Sequence, residues 1–326
     1  MKKIISLLLM AAMILTMATG CGNGDESADT VSQVINVATL NGPTGMGMVK
    51  LMDMKDKYQI TAYQSPTDIT AKLVSGEVDV AALPSNLASV LYNKTGGKII
   101  AISPIALGVL YIVGNDAQIT DISELKGKTV IASGKGGTPE YVLQKILECW
   151  GLKLYEDVNV QWLSNHTEVN TKMLAEKGTI AMIPEPFVST ALAAGKENVK
   201  MLFDLNELWK EATGQELPMG VLVAQKSFAD ERYKDLTVFL NDYKESVNFV
   251  NEDSEKAAEL IAENGFIPKA EIAKKAIPNC HIVLYTGKET ELGIKMLQIF
   301  NETLYKIEPS AVGGKLPDDQ LYFKAE

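Results

Sequence analysis

The chain has 326 residues, of which 46% are hydrophobic, and a formal net charge of −10 at pH 7. This acidic balance argues against nucleic-acid binding, which needs a basic surface. Arg232 is the single arginine, so a bound anion would be held largely without the bidentate guanidinium fork.

The first 20 residues have the pattern of a secretory signal peptide. Lys2 and Lys3 give a positive start, an apolar run covers residues 4–18, and small residues precede Cys21. A membrane-spanning helix needs about 20 apolar residues, so we expect cleavage rather than a permanent span. Cleavage removes two lysines and no acidic residue, which takes the net charge from −10 to −12.

Cys21, at the first position after the signal, resembles the acylated cysteine of the bacterial lipobox. That pattern prefers Leu three residues earlier, where this chain has Ala18, so an ordinary signal peptide ending beside a cysteine is the alternative. Residues 22–30 are small, polar and acidic, which is typical of a flexible tether. We therefore expect a lipid-anchored (palmitate-bearing) tether over 21–34, on the extracytoplasmic face of the cell membrane.

From Ile35 onward, short apolar runs alternate with amphipathic stretches, which predicts βαβ units around mainly parallel sheets. A first series of strands and helices is followed by a second, and residues 227–307 are dominated by helices. Asp253 and Ser254 are a plausible start for a helix that continues to Glu263. The predicted strands are 35–40, 58–63, 78–83, 99–103, 107–113, 129–132, 158–163, 180–183 and 199–203. The predicted helices begin near Met46, Thr67 and Asn86 and then cover 139–150, 168–177 and 186–194.

Two α/β series followed by a helical tail predict an α/β protein with two lobes, between which the chain crosses twice, near 108–114 and 218–224. We assign residues 35–110 and 222–326 to lobe one and residues 111–221 to lobe two. In open α/β sheets, ligands bind beyond the carboxyl ends of the strands, where loops lead into helix N-termini. The junctions after the strands are therefore the candidate ligand site.

The junction after the first strand is Gly-rich, which allows the backbone to approach a ligand closely. Its glycines lack the spacing of a dinucleotide fingerprint, and no Gly-Lys-Ser/Thr follows, so a nucleotide site is not indicated. A simple Gly-rich turn is the alternative. The candidate contacts here are Asn41, Gly42, Pro43, Thr44, Gly45 and Met46.

Five further junctions carry polar or aromatic candidates. Ser85 could instead simply cap the helix that follows it, and Glu185 and Phe187 could instead serve a helix terminus and the core. The candidates are Ser65, Ser85 and Asn86 in lobe one, and Gly136, Gly137, Thr138, Tyr141, Asn165, His166, Glu185, Phe187 and Met219 in lobe two or its exit.

Catalytic and metal chemistry find little support in the sequence. His166 and His281 are far apart and show no metal-ligand spacing with cysteine, so we expect no metal and no cofactor. No nucleophile, base and orienting group stand together, so no catalytic residue is assigned. Cys149 and Cys280 could form one disulfide or remain two free thiols.

Four segments of the chain carry a family resemblance: Gly42-Pro43-Thr44-Gly45, residues 75–86, residues 125–130 and Pro184-Glu185-Pro186-Phe187. They resemble ABC-transporter substrate-binding proteins of the nitrate, sulfonate, taurine and thiamine-pyrimidine type. The resemblance covers 35–224 well and the helical tail loosely. It implies a type II periplasmic-binding-protein fold, in which two lobes close on a small molecule and deliver it to a permease with a cytoplasmic ATPase.

We therefore expect a monomeric solute-binding lipoprotein that captures its ligand without covalent chemistry. A lipoprotein that reports ligand to a membrane receptor is one alternative, and an enzyme on the same fold is another. The scarcity of arginine and the aromatic and thioether side chains near the loops favour a planar, modestly polar ligand over a multiply charged anion.

Overall fold

The computed structural model describes residues 30–324, which form a mixed α/β protein with two five-stranded sheets. The signal peptide and Cys21 lie outside these residues. The strands are β1 Ile35–Leu40, β2 Tyr58–Tyr63, β3 Val80–Pro84, β4 Ile99–Leu107, β5 Leu110–Asn115, β6 Thr129–Ser133, β7 Asn159–Leu163, β8 Thr179–Pro184, β9 Val199–Asp204 and β10 Pro218–Gln225.

The first sheet has the strand order β2-β1-β3-β10-β4. Strands β1, β2 and β3 are parallel, whereas β10 pairs antiparallel with both β3 and β4. Side chains alternate between the two faces, so that Val37 lies in one core and Ala38 in the other. We call the half of the molecule built on this sheet lobe one.

The second sheet has the strand order β7-β6-β8-β5-β9 and defines lobe two. Strands β6, β7 and β8 are parallel, and β5 pairs antiparallel with β8 and β9. The antiparallel strand of each sheet, β10 or β5, is the one that arrives from the other lobe. Two sheets flanked by helices confirm the predicted fold class.

Helices cover both faces of each sheet and form the C-terminal part of the chain. Asp253 accepts a hydrogen bond from the amide of Lys256, which confirms the predicted start of the helix that runs to Glu263. The helices are α1 Pro43–Met46, α2 Pro66–Ser75, α3 Ser85–Thr95, α4 Thr138–Cys149, α5 His166–Ala175, α6 Phe187–Gly195, α7 Leu205–Thr213, α8 Lys226–Glu231, α9 Tyr233–Glu252, α10 Ser254–Glu263, α11 Ala270–Cys280 and α12 Thr290–Ile307.

The first crossing between the lobes contradicts the prediction of one strand over 107–113. Strand β4 ends at Leu107 and β5 starts at Leu110, because Gly108 has a φ of +48° and its amide donates to the carbonyl of Leu217 on the returning chain at 2.8 Å. A Cβ on Gly108 would lie 2.0 Å from Cβ of Asn206. Only glycine fits this position.

The second crossing ends before Pro218, because β10 already belongs to the first sheet at that residue. The predicted range of lobe two, 111–221, includes the first four residues of this strand. The division of the chain into lobe one, 35–110 with 222–326, and lobe two, 111–221, stays a prediction.

Helix α12 packs into both lobes. Ile294 and Leu297 lie in a core of lobe one, whereas Phe300 and Leu304 lie in the main core of lobe two. The chain then returns to lobe one, where the amide of Phe323 donates to the carbonyl of Ala101 at 2.9 Å. The tail is therefore shared between the lobes.

Both cysteines of the described part are free thiols, Cys149 exposed and Cys280 buried. Within residues 30–324, no helix is long and apolar enough to cross a membrane.

Candidate ligand-binding site

The two lobes touch where strand-to-helix junctions face each other. The hydroxyl of Thr138, the first residue of α4, donates to Oδ1 of Asn86 in α3 at 3.3 Å. At a second point, a Cβ added to Gly42 would lie 3.9 Å from Cδ of Pro186, which is ordinary van der Waals contact. The carboxyl ends of both sets of parallel strands thus face each other, and we call the region between them the cleft.

Ser85 is the most informative polar residue on the lobe-one side. Its side chain is 1% exposed, and its Oγ has no hydrogen-bond partner in the described structure. Helix α3 follows Pro84, and no side chain caps its first amides. A buried hydroxyl without a partner is costly, so this position is suited to a polar atom of a ligand.

The oxygen and the nitrogen of the Asn86 side-chain amide each make a hydrogen bond. Its Oδ1 accepts from Thr138, and its Nδ2 donates to the carbonyl of Ala311 in the C-terminal tail at 3.2 Å. Ala311 itself lies in the lobe-two core. The orientation of this candidate contact therefore depends on the C-terminal tail.

The Gly-rich junction after β1 is fixed by close packing. A Cβ on Gly45 would lie 2.4 Å from the ring of Phe266, and Gly42 donates its amide to the carbonyl of Phe266 at 3.0 Å. Met46 is fully buried in the lobe-one core, so its side chain packs there instead of facing the cleft. The predicted helix from Met46 is also wrong, because Pro43 starts a single turn that ends at Met46. Asn41, Pro43 and Thr44 are half-buried.

On the lobe-two side, the loop 134–138 is held by two residues of α4. Glu140 accepts a hydrogen bond from the amide of Gly136 at 2.5 Å, and the hydroxyl of Tyr141 donates to the carbonyl of Gly136 at 3.1 Å. The ring of Tyr141 lies in the lobe-two core. Tyr141 therefore positions the loop, and Thr138 is the loop residue that contacts lobe one, whereas Gly136 and Gly137 stay predicted contacts.

His166, Ser133 and Phe187 form a cluster at the ends of β6, β7 and β8. Nδ1 of His166 lies 2.7 Å from Oγ of Ser133, and its ring centroid lies 5.4 Å from that of Phe187. Burial lowers the pKa of His166 to about 4, so the imidazole is neutral at pH 7. When Ser133 donates to Nδ1, Nε2 carries the proton and is a hydrogen-bond donor.

Ser65 and Asn165 have local structural roles. Oγ of Ser65 accepts from the amide of Thr67 and caps α2, and Oδ1 of Asn165 accepts from the amide of Glu168 and caps α5. Capping satisfies amides that would otherwise be available to a ligand. By contrast, no side chain caps α3 or α4, the two helices that meet at the cleft.

Glu185 is 2% exposed, and its carboxylate is fully engaged by the protein. It accepts hydrogen bonds from the amide and the hydroxyl of Ser189, each at 3.0 Å, and from Nδ2 of Asn279 at 2.7 Å. Burial raises its pKa, and the bonds from Asn279 and Ser189 oppose this rise. Asn279 gave no sequence signal, because it lies inside a helix far along the chain.

Met219 is half-buried and packs against the main cores of both lobes. It lies in β10, just after the second crossing. Within the described residues, no group of three or more His, Cys, Asp or Glu side chains is arranged to hold a metal ion.

Comparison with solved structures identifies the fold as that of periplasmic binding proteins. An ABC transporter protein from Parabacteroides distasonis shares 24% identity with a TM-score of 0.76, covering 90% of this chain and 100% of that one. The periplasmic aliphatic sulphonate binding protein SsuA from Escherichia coli shares 17% identity with a TM-score of 0.67, covering 90% and 97%. The alkanesulfonate-binding protein SsuA from Xanthomonas axonopodis pv. citri, bound to MOPS, shares 13% identity with a TM-score of 0.64, covering 91% and 100%.

A family model described as menaquinone biosynthesis matches residues 46–290. The chain therefore belongs to this menaquinone-biosynthesis family. No curated protein matches the chain.

Proposed function

We propose that this protein is an extracytoplasmic solute-binding protein that captures a small molecule between its two lobes and delivers it to an ABC importer. The observation that carries the proposal is the buried, unpaired hydroxyl of Ser85 beside the contact between Asn86 and Thr138. A ligand between the lobes would satisfy that hydroxyl and favour the closed arrangement by its differential affinity. The ABC-transporter and sulphonate-binding neighbours of the same fold support this reading.

The ligand that fits best is planar and modestly polar, with at least one hydrogen-bond acceptor or donor for Ser85. The aromatic residues at the lobe-two junctions are a neutral His166 and Phe187, whose ring centroids lie 5.4 Å apart. Neither side chain supplies a positive charge to a ligand. Lys135 is the one basic residue of the loop 133–138, and its side chain is exposed. A multiply charged anion would lack the charge that stabilises it.

Native mass spectrometry of the purified protein, followed by a thermal-shift panel, tests the proposal. The panel contains sulfate, nitrate, an alkanesulfonate and several aromatic heterocycles. We expect one-to-one binding and stabilisation by a heterocycle. Strong stabilisation by sulfate or nitrate alone would overturn the ligand preference, and the absence of any bound or stabilising compound would count against capture itself.

The proposed location is the outer face of the cell membrane, with the chain anchored through a lipid on Cys21. Residues outside the described range carry this proposal, so it depends on the signal pattern of the sequence. Replacement of Cys21 with Ser should abolish palmitate labelling and release the protein from the membrane fraction. Unchanged labelling would contradict it.

Family membership favours one second candidate, an enzyme of menaquinone biosynthesis. The two functions differ in turnover, because a binding protein returns its ligand unchanged and in stoichiometric amount. Incubation of excess candidate ligand with the protein, followed by mass analysis, separates them. The conversion of many equivalents of ligand would establish the enzyme.

A further inference from the structure

Glu185 and Asn279 join the two lobes beside the first crossing. Glu185 lies between β8 and α6 of lobe two, and its amide donates to the carbonyl of Val109 on the first crossing at 2.9 Å. Asn279 lies in α11, whose apolar residues Ala276 and Ile277 belong to the lobe-one core. The 2.7 Å bond between the two side chains therefore connects one lobe to the other.

Asn279 is itself fixed from the opposite side. Its backbone carbonyl accepts a hydrogen bond from the hydroxyl of Tyr111 in β5 at 2.9 Å, and Tyr111 is 1% exposed. Two residues further on, the backbone carbonyl of His281 accepts a hydrogen bond at 3.2 Å from the amide of Leu107, at the end of β4. The end of α11 thus contacts lobe two and both strands that flank the first crossing.

We propose that Glu185 and Asn279 form a latch that holds the lobes together, and that Glu185 is a positioning residue instead of a ligand contact. If the lobes part, the carboxylate loses the bond from Asn279 while remaining close to the buried crossing. Loss of one partner from a buried hydrogen-bonded carboxylate is unfavourable, so the latch resists opening. The latch rests on the proposed capture between lobes and sets how readily they part.

Glu185 is the group whose charge controls the latch, because the titratable side chains around it are uncharged at neutral pH. The titratable side chains that face it are Tyr111 and Cys280, and burial raises the pKa of both, so they are neutral at pH 7. Ser189 supplies the remaining two hydrogen bonds from within lobe two. A change at position 279 therefore alters the contact between lobes and leaves the capping of α6 in place.

Small-angle X-ray scattering of the ligand-free protein tests the latch without knowledge of the ligand. Asn279→Asp places a second carboxylate against Glu185, so we expect a larger radius of gyration at pH 8 that falls again near pH 5, where the pair can share a proton. The double variant Glu185→Gln with Asn279→Asp restores one amide facing one carboxylate and should return to the wild-type radius. Asn264→Ala is the matched control, because Asn264 bonds only the carbonyl of Leu260 in its own turn.

A wild-type radius for a folded Asn279→Asp variant at pH 8 overturns the latch, and so does a double variant that stays as expanded as the single one. If circular dichroism shows that Asn279→Asp does not fold, Tyr111→Phe replaces it. That variant removes the hydroxyl that fixes Asn279, and an unchanged radius would then count against the proposal. Failure of ligand capture would instead leave these scattering results intact and appear only as the absence of a bound compound.

Discussion

Thr138 in lobe two donates a hydrogen bond to Asn86 in lobe one at 3.3 Å, and each residue stands in the first turn of a helix that no side chain caps. Two helix N-termini therefore meet across the cleft. The amides of such termini carry partial positive charge, which suits the acceptor atoms of a polar ligand without requiring a basic side chain.

Replacement of Thr138 with Val should weaken closure over a ligand. The lost hydrogen bond is worth about 1 kcal/mol, so the Kd of the compound that binds best in the thermal-shift panel should rise about fivefold, as measured by calorimetry. Thr171→Val is the control, because its hydroxyl bonds the carbonyl of Thr167 within α5. Equal effects of the two variants would contradict a role for Thr138 in closure.

Substitutions of the two buried serines of α3 distinguish an effect on ligand binding from an effect on folding. Ser85 and Ser89 are both buried without a hydrogen-bond partner, one turn apart, but only Ser85 lies at the cleft junction. Neither Ser85→Ala nor Ser89→Ala should lower the ligand-free melting temperature. Ser85→Ala should weaken ligand binding about tenfold, the loss expected for a buried hydrogen bond, whereas Ser89→Ala should leave it unchanged. Binding that survives Ser85→Ala would remove this hydroxyl from the site.

Because the pKa of His166 is lowered by burial, we expect the protein to lose stability in mild acid. Its pKa is lowered to about 4 in the folded protein from 6.5, so the unfolded chain binds more protons in the window between these values. The contribution of the neutral His166 to the free energy of unfolding is fully present above pH 6.5. It is lost as the pH falls toward 4, which lowers the free energy of unfolding by up to about 3 kcal/mol. Urea unfolding at pH 7 and pH 4.5 should show a smaller decline for His166→Gln than for wild type. His281→Gln retains His166 and should behave like wild type, and a His166→Gln decline as large as that of wild type would disprove the assignment.

The first crossing should tolerate no side chain at position 108. Gly108→Ala combines a positive φ with a Cβ that would lie 2.0 Å from Asn206, so we expect a loss of about 3 kcal/mol or more in the free energy of unfolding. Gly127 also has a positive φ, of +76°, but a Cβ added there would meet no atom within 4 Å. Backbone strain alone should therefore make Gly127→Ala cost about 1 to 2 kcal/mol. Chemical denaturation measures both, and similar losses would mean that the contact with Asn206 relaxes readily.

Much of the fold follows from local patterns. Strands β1 and β2 occupy the predicted ranges because short runs rich in apolar and β-branched residues favour strands, and Asp253 caps α10 as a local sequence signal indicates. The predicted strand 107–113 failed at Gly108, because its apolar run continues without a break while the backbone turns against Asn206, nearly a hundred residues away.

The site was harder to predict for the same reason. Position after a strand identifies Ser85 and Thr138, but it does not show which side chains are already used. Ser65 caps its own helix, Met46 turns into the core, and Glu185 binds Asn279, whose place in a helix of the tail carries no local signal. These roles depend on tertiary contacts between residues that are distant in the sequence.

Helix α12 contributes Leu297 to a core of lobe one and Phe300 to the core of lobe two, so neither half can lose its structure without removing part of the other. Melting should accordingly be a single cooperative transition rather than two. All three tryptophans, Trp150, Trp162 and Trp209, lie in lobe two, so their fluorescence follows that half, whereas circular dichroism follows the whole chain. The two signals should change at the same temperature, and a protease that cuts one half should leave no folded remainder of the other.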